Sequence, residues 1–384
     1  MLLLVCLVVF LDSVGYGIVV PVLPIYARTL KATDFQIGFL FATYAIALLL
    51  GAIPMGLLSD RLGRKPFVLF GMFAMSAAFV FYAFAESYWM LVIARTLDGL
   101  TAAATWSAGL ALLGDRFEES EMGAKMGYAI GAMAVGGIAG TVLGGFLSDA
   151  LGYRAPFYAI SAGCLLGGIL AVFLKEERAV QRAIVPAARM LKNVIANRTI
   201  LIACVISMVA TTGLGLLEPT LPLYLRDEFS MSRTGIGLVF GVTMLMYAVA
   251  SPLAGRLSDS IGRKKPIVTG LLATAVLMPL IVVFKNVVAV CVFMGLLGIS
   301  LSVFESPSVP LITDSMPRDG GGDIHYGTAF GLLNFFWSLG YALGPLLGGA
   351  LKGWAGLLWA LLVYSAMLVG LAAVVMVFLG KDKA

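Results

Sequence analysis

Charge is scarce in this sequence. Asp, Glu, Lys and Arg make up 12% of its 384 residues, about half the share of an ordinary soluble domain. With 60% hydrophobic residues and a mean hydropathy of +1.00, it cannot fold as a water-facing globule. Histidine occurs once, at His325 in a polar loop, so a His-based metal centre has no basis. No nucleophile–base pair and no metal-ligand spacing appear, which argues against an enzyme. The four cysteines, Cys6, Cys164, Cys204 and Cys291, each lie inside an apolar run without redox or metal spacing. They read as small buried hydrophobes rather than disulfides. Glutamine is limited to Gln36 and Gln181, neither of them mid-membrane, so the hydrogen-bonding equipment of a sugar uniporter is missing. The net charge of +5 is dispersed along the chain and forms no nucleic-acid footprint.

What is abundant is apolar sequence in runs of spanning length. They fall near 2–27, 36–58, 66–85, 88–113, 125–148, 155–174, 199–225, 235–257, 266–284, 287–312, 326–350 and 354–379. The opening MLLLVCLVVF has no basic n-region and no small-residue cleavage site, so it reads as the first span rather than a signal peptide. The charged stretch 175–198 divides the chain into 1–174, a linker, and 199–384. Of the 26 Lys and Arg, Arg28, Lys31, Arg154, Arg226, Arg233, Lys285 and Lys352 fall on one side of the alternation, Arg95 lies within the fourth span, and all the others fall on the opposite side. The richer side is cytoplasmic by the positive-inside rule, which places both termini there.

The two halves are repeats. PVLPIYAR (21–28) returns as PTLPLYLR (219–226), and GLLSDRLGRKP (56–66) returns as GRLSDSIGRKKP (255–266). Weaker echoes of the second motif are GFLSDALGYRAP (145–156) and GALKGWAG (349–356), so the chain is four units of three spans. Internal repeats of this kind are the mark of a transporter. The glycines of the loop motif permit a tight turn. Asp60, among Arg61, Arg64 and Lys65, is placed to meet the end of a neighbouring helix as an ionic latch. Asp259 with Arg263 forms its counterpart, expected to be weaker because Ser260 stands where Arg61 does, and Asp149 is a third. The fifth span carries GxxxGTxxGG at Gly136, Gly140, Gly144 and Gly145, and the eleventh GxxxGPxxGG at Gly340, Gly344, Pro345, Gly348 and Gly349. Small residues four apart let helices approach closely.

Ionisable residues inside the spans are the strongest functional signal, since each costs about 2.5–3.5 kcal/mol or more at mid-bilayer. They are Asp12, Arg95, Asp98, Glu218 and Glu305. One cation cannot neutralise four acids. The surplus must be protonated, paired with a substrate cation, or in water, which is the arithmetic of a proton-coupled carrier of cations. Asp12 is the expected counter-ion for an amine, with Gly15 and Gly17 on the next turn leaving room for it. Arg95 and Glu218 are expected to pair, although Asp98, three residues after Arg95, is placed to take Arg95 locally. Glu305, beside Pro307 and Pro310, is the expected carrier of the coupling proton, with Asn334 as a non-titrating neighbour.

These residues together resemble the major facilitator superfamily over essentially the whole chain. Within it they resemble the drug:proton antiporter branch, and most closely the vesicular monoamine transporters and their bacterial homologues. VVFLDSVGYGIVVPVLPIY (8–26) is similar to that family's first helix, which implies amine pairing at Asp12. LLEPTLPLYL (216–225), FESPSVP (304–310) and IARTLDG (93–99) imply functional roles for Glu218, Glu305 and Arg95, and Tyr247 and Tyr341 match two tyrosines of its polar network. Asn334 replaces an acid and Tyr44 a lysine of the family pattern.

The resemblance implies twelve transmembrane helices in two pseudo-symmetric six-helix bundles that rock about a central site. The expected activity is export of monoamines or related organic cations in exchange for protons, with a broad multidrug or tetracycline-type antiporter as the alternative. Tyr44, Trp106, Phe335, Phe336 and Trp337 are candidates for cation–π contact with the substrate. No cofactor is expected beyond the proton gradient. The expected setting is a monomer in a prokaryotic plasma membrane.

Overall fold

The computed structural model of the chain describes residues 1–117, 119–173, 197–315 and 326–379. All but two residues of the linker 175–198, and His325, lie outside them. Among these residues thirteen helices follow one another: α1 (Leu2–Thr29), α2 (Asp34–Leu62), α3 (Arg64–Ala83), α4 (Tyr88–Arg116), α5 (Glu119–Leu151), α6 (Ala155–Val172), α7 (Arg198–Phe229), α8 (Arg233–Ile261), α9 (Lys264–Val283), α10 (Val287–Glu305), α11 (Ser308–Asp314), α12 (Tyr326–Ala355) and α13 (Leu357–Phe378). No strand occurs among the described residues. Helices α10 and α11 share one span, so the crossings among the described residues number twelve. Eleven spans are apolar and long enough to cross a membrane by composition alone. The remaining crossing is α4, whose 29 residues include Arg95, Asp98 and Asp115.

Local chemistry sets the boundaries. Thr33 and Gln36 form a reciprocal capping box at the start of α2, and the Asn286 side chain accepts from Val288 N at 2.8 Å at the start of α10. Pro307 and Pro310 lack amide hydrogens, and the tenth span breaks between Glu305 and Ser308. The eleventh span runs five residues further than its apolar pattern and ends in a turn at Gly356.

Gly356 is one of four glycines with positive φ, at +89°; the others are Gly63, Gly152 and Gly262, at +100°, +89° and +88°. They occupy the same position in the four repeats of the loop motif. At Gly63 and Gly356, ψ is 155° and 166°, a conformation almost restricted to glycine. A faint sequence echo is therefore the same physical turn four times over.

The contacts group Met1–Arg182 with Glu218–Gly241 as one compact unit, and Ala183–Leu217 with Val242–Ala384 as a second. In sequence, Glu218–Gly241 belongs to 199–384. In the first unit α1 lies on α5, α2 on α4, and α3 on α4 and α6. A Cβ added at Gly136, Gly140 or Gly144 would strike the α1 backbone at Phe10, Val14 or Ile18. Gly145 lies against Arg233 and Thr234 at the start of α8. In the second unit α9 packs on α10 and α13, and Gly340, Gly344 and Gly348 lie against the α7 backbone at Met208, Thr212 and Leu216. The two glycine runs are thus matching helix-packing seams.

The ion pairs of the loop motif run through Arg64 and Arg263. Asp60 pairs with Arg64 one turn on, and Arg64 Nε reaches Asp115 at the end of α4 at 3.1 Å. Lys65 Nζ donates to the Val172 carbonyl at the end of α6 at 2.6 Å. The counterpart repeats each contact: Arg263 pairs with Asp259 and with Asp314 at 3.1 Å, and Lys264 donates to the Met376 carbonyl at 2.7 Å. The second set matches the first because the working cation is Arg64 or Arg263. Arg61 is exposed, so Ser260 in its place removes nothing from this arrangement. Asp149 is the acid that meets the start of another helix. It accepts from Arg233 N at 3.2 Å, Thr234 N at 2.8 Å and Thr234 Oγ1 at 2.7 Å.

Candidate functional site

Asp12 lies one-third of the way along α1, buried at 6% exposure. Trp106 Nε1 on α4 donates to its Oδ2 at 2.7 Å, and Thr105 Oγ1 stands 3.4 Å from Oδ1. Among the described residues no cation is within ion-pair distance of Asp12. The neighbouring glycines do not open space for a ligand as expected. A Cβ at Gly15 would lie 2.6 Å from the Phe79 ring, and at Gly17 it would meet the Gly137 carbonyl at 2.6 Å. They are packing residues, placed there because α1 meets α3 and α5 on that side.

Arg95 does not pair with Glu218. Its Nη1 bonds Asp98 Oδ2 at 3.0 Å on the same face of α4, a partner only three residues away that needs no other helix to be in place. The guanidinium is 1% exposed and lies in a box of rings, 4.4 Å from the centroid of Tyr44, 5.1 Å from Tyr16 and 5.4 Å from Phe41. One face of Tyr44, expected for the substrate, is thus occupied by Arg95. Glu218, on α7 but packed with the first unit, accepts from Tyr16 Oη at 2.6 Å. Sequence reasoning missed Tyr16. The available signal was its place four residues after Asp12, on the same helix face.

The second unit holds Glu305 at the last turn of α10, directly before the break. Tyr247 Oη on α8 donates to its Oε2 at 3.0 Å, and Ser251 and Ser306 hydroxyls meet at 2.9 Å one turn along. No cation pairs with Glu305 among the described residues. Asn334 is exposed on α12, as are Phe335 and Trp337. Phe335 contacts Phe336 edge-on at 5.9 Å between centroids, and Trp337 contacts Tyr341 at 4.5 Å. The hydrogen-bonding neighbour of Glu305 is Tyr247, a residue on α8 rather than Asn334.

Two acids of the first unit, Asp12 and Glu218, are therefore held by neutral donors while its buried cation is spent on a third. Glu305 repeats the arrangement in the second unit. A carboxylate deep in a bilayer without a counter-ion is expensive.

The family model described as Major Facilitator Superfamily matches residues 5–217 and again 203–384. The chain is 28% identical over 340 residues to the synaptic vesicular amine transporter of Rattus norvegicus, covering 88% of this chain. It is 27% identical to a probable vesicular acetylcholine transporter-B of Danio rerio, covering 91% of this chain and 73% of that protein. It spans 65% of the length of the rat relative. Among solved structures, a bacterial homolog of the human lysosomal transporter Spinster superposes with a TM-score of 0.84 at 16% identity, covering 98% of this chain and 95% of that one. The nucleoside transporter NupG superposes with a TM-score of 0.78 at 13% identity, covering 99% of each chain.

Proposed function

This chain belongs to the Major Facilitator Superfamily, and we propose that it is a proton-coupled antiporter that exports monoamines or related organic cations. The observation that carries this reading is Asp12: a buried carboxylate, oriented by the Trp106 indole and without a cation of its own among the described residues. An ammonium group supplies the missing charge, and the Trp106 ring supplies a π face beside it. The similarity to vesicular amine transporters supports amines as the substrate class. Glu218 and Glu305 are the acids left to take up and release protons. In this reading the buried acids face the two sides of the membrane in turn, and outward movement of a cation is driven by inward movement of protons. The protein works as a monomer in the cell membrane, with both termini in the cytoplasm.

Purified protein in liposomes, given a labelled monoamine and an imposed pH gradient, tests the proposal. Accumulation that requires the gradient, with little movement of uncharged analogues of similar size, is the expected result. Equal transport of neutral drugs would favour a broad multidrug antiporter. Amine movement indifferent to the gradient would overturn the coupling.

A further inference from the structure

Tyr16 lies within the 8–26 stretch, one turn after Asp12, and touches several of the buried charged groups of the first unit. Its hydroxyl donates to Glu218 at 2.6 Å, its ring stands 5.1 Å from the Arg95 guanidinium and 5.1 Å from the Tyr44 ring, and Asp12 is one turn away on the same face of α1. The groups that act on Glu218 are the Tyr16 hydroxyl on α1 and the charge of Arg95 on α4. Of these, the Tyr16 hydroxyl is the one hydrogen-bonded to Glu218, and Arg95 is engaged by Asp98.

A phenol donating to an ionised carboxylate makes a charge-assisted bond, about twice as strong as one between neutral groups, and the 2.6 Å separation allows it. A proton on Glu218 turns it into the weaker kind. The carboxyl then carries a donor of its own, which competes for the phenol oxygen. The strength of the tie between α1 and α7 thus depends on whether Glu218 holds a proton.

We infer that the Tyr16–Glu218 bond is a proton-released tie between α1 and the Glu218–Gly241 stretch of the first unit, with Tyr16 as its positioning residue. Ionised Glu218 keeps α7 fastened to α1, one turn from Asp12, and protonated Glu218 lets it go. The inference rests on the proposed antiport for its purpose, since arrival of a proton then loosens the helix that carries the amine counter-ion. Its geometry stands without that reading.

The test follows the tie itself. Spin labels at Thr29→Cys and Glu228→Cys, both exposed positions at the ends of α1 and α7, report the separation of those ends in liposomes as pH is lowered. The native Cys6, Cys164, Cys204 and Cys291 are replaced first. The expected result is a distance distribution that broadens and lengthens on acidification. Tyr16→Phe, which keeps the ring on Arg95 and removes only the donor, should show the acid-like distribution at every pH. Glu218→Gln is a second variant that breaks the same charge-assisted bond from the other side. It should behave like Tyr16→Phe, and adding Tyr16→Phe to it should change nothing further. A pH-independent distance in the unsubstituted protein, or a normal pH response in either variant, would overturn the tie. Failure of the amine proposal is read separately, as absence of gradient-driven amine uptake by the unsubstituted protein.

Discussion

Replacing Asp12 by Asn separates a binding role from a structural one. The substitution keeps the shape of the side chain and one acceptor oxygen for Trp106 Nε1, which donates to Asp12 at 2.7 Å. It removes the negative charge. Losing one member of a buried ion pair costs about 3–5 kcal/mol. At about 1.4 kcal/mol per tenfold change, the Kd for an amine should weaken by roughly 10² to 4 × 10³-fold. Contact with the Trp106 ring, worth about 0.5–2 kcal/mol, leaves some residual binding. Stability should move the other way. Asp12 has no ion pair among the described residues, so the substitution removes a buried charge that the fold must desolvate without a counter-charge. Equilibrium binding of a labelled monoamine to the purified protein should therefore fall while Tm holds or rises. Amine affinity within about threefold of the parent, a difference of under about 0.7 kcal/mol, would refute the counter-ion argument. So would an affinity loss accompanied by a large drop in Tm, because that result would make Asp12 a structural residue.

Glu305→Gln keeps an acceptor for Tyr247 and cannot release a proton. It should bind amine but fail to accumulate it against a gradient in liposomes, and normal accumulation would move the coupling proton to Glu218 or Asp12. On α5, Gly140→Ala forces a methyl group against the Val14 carbonyl and the Cα of Gly17 at 3.0 Å, and should cost about 1–3 kcal/mol in thermal unfolding. Gly131→Ala on the same helix meets no atom within 4 Å and should gain up to about 1 kcal/mol of helix propensity. Arg64→Ala breaks contacts to Asp60, Asp115 and Ser59, which solvent screens in part, and should lower stability by about 1–2 kcal/mol. Arg61→Ala, at an exposed position, should stay within about 0.5 kcal/mol of the parent.

The amino-acid sequence by itself determined the class of molecule and the residues that matter. A chain with 12% charged residues and unbroken apolar runs of spanning length crosses a bilayer as helices, in which each backbone group finds its partner within its own segment. The cost of burying charge is enough to single out Asp12, Arg95, Asp98, Glu218 and Glu305 from their apolar surroundings in the chain. The four loop echoes marked the four turns in which a positive-φ glycine is needed. Each of these is a local property or a matter of composition, and so is written along the chain.

The partners were decided by tertiary structure. Arg95 had two acids to choose between, and the near one on its own helix face took it. Glu218 was left to Tyr16, a residue 202 positions away that no spacing rule connects to it. Gly15 and Gly17 leave room for a ligand on an isolated helix, but α3 and α5 fill that space in the folded bundle. Asp60, Asp149 and Asp259 share one motif, yet two pair with an arginine a turn away and the third caps the start of α8. Which donor reaches a buried acid depends on which helices come within about 3 Å of one another there. That proximity comes from backbone seams such as the glycines of α5 against α1, which act on every residue along the contact at once.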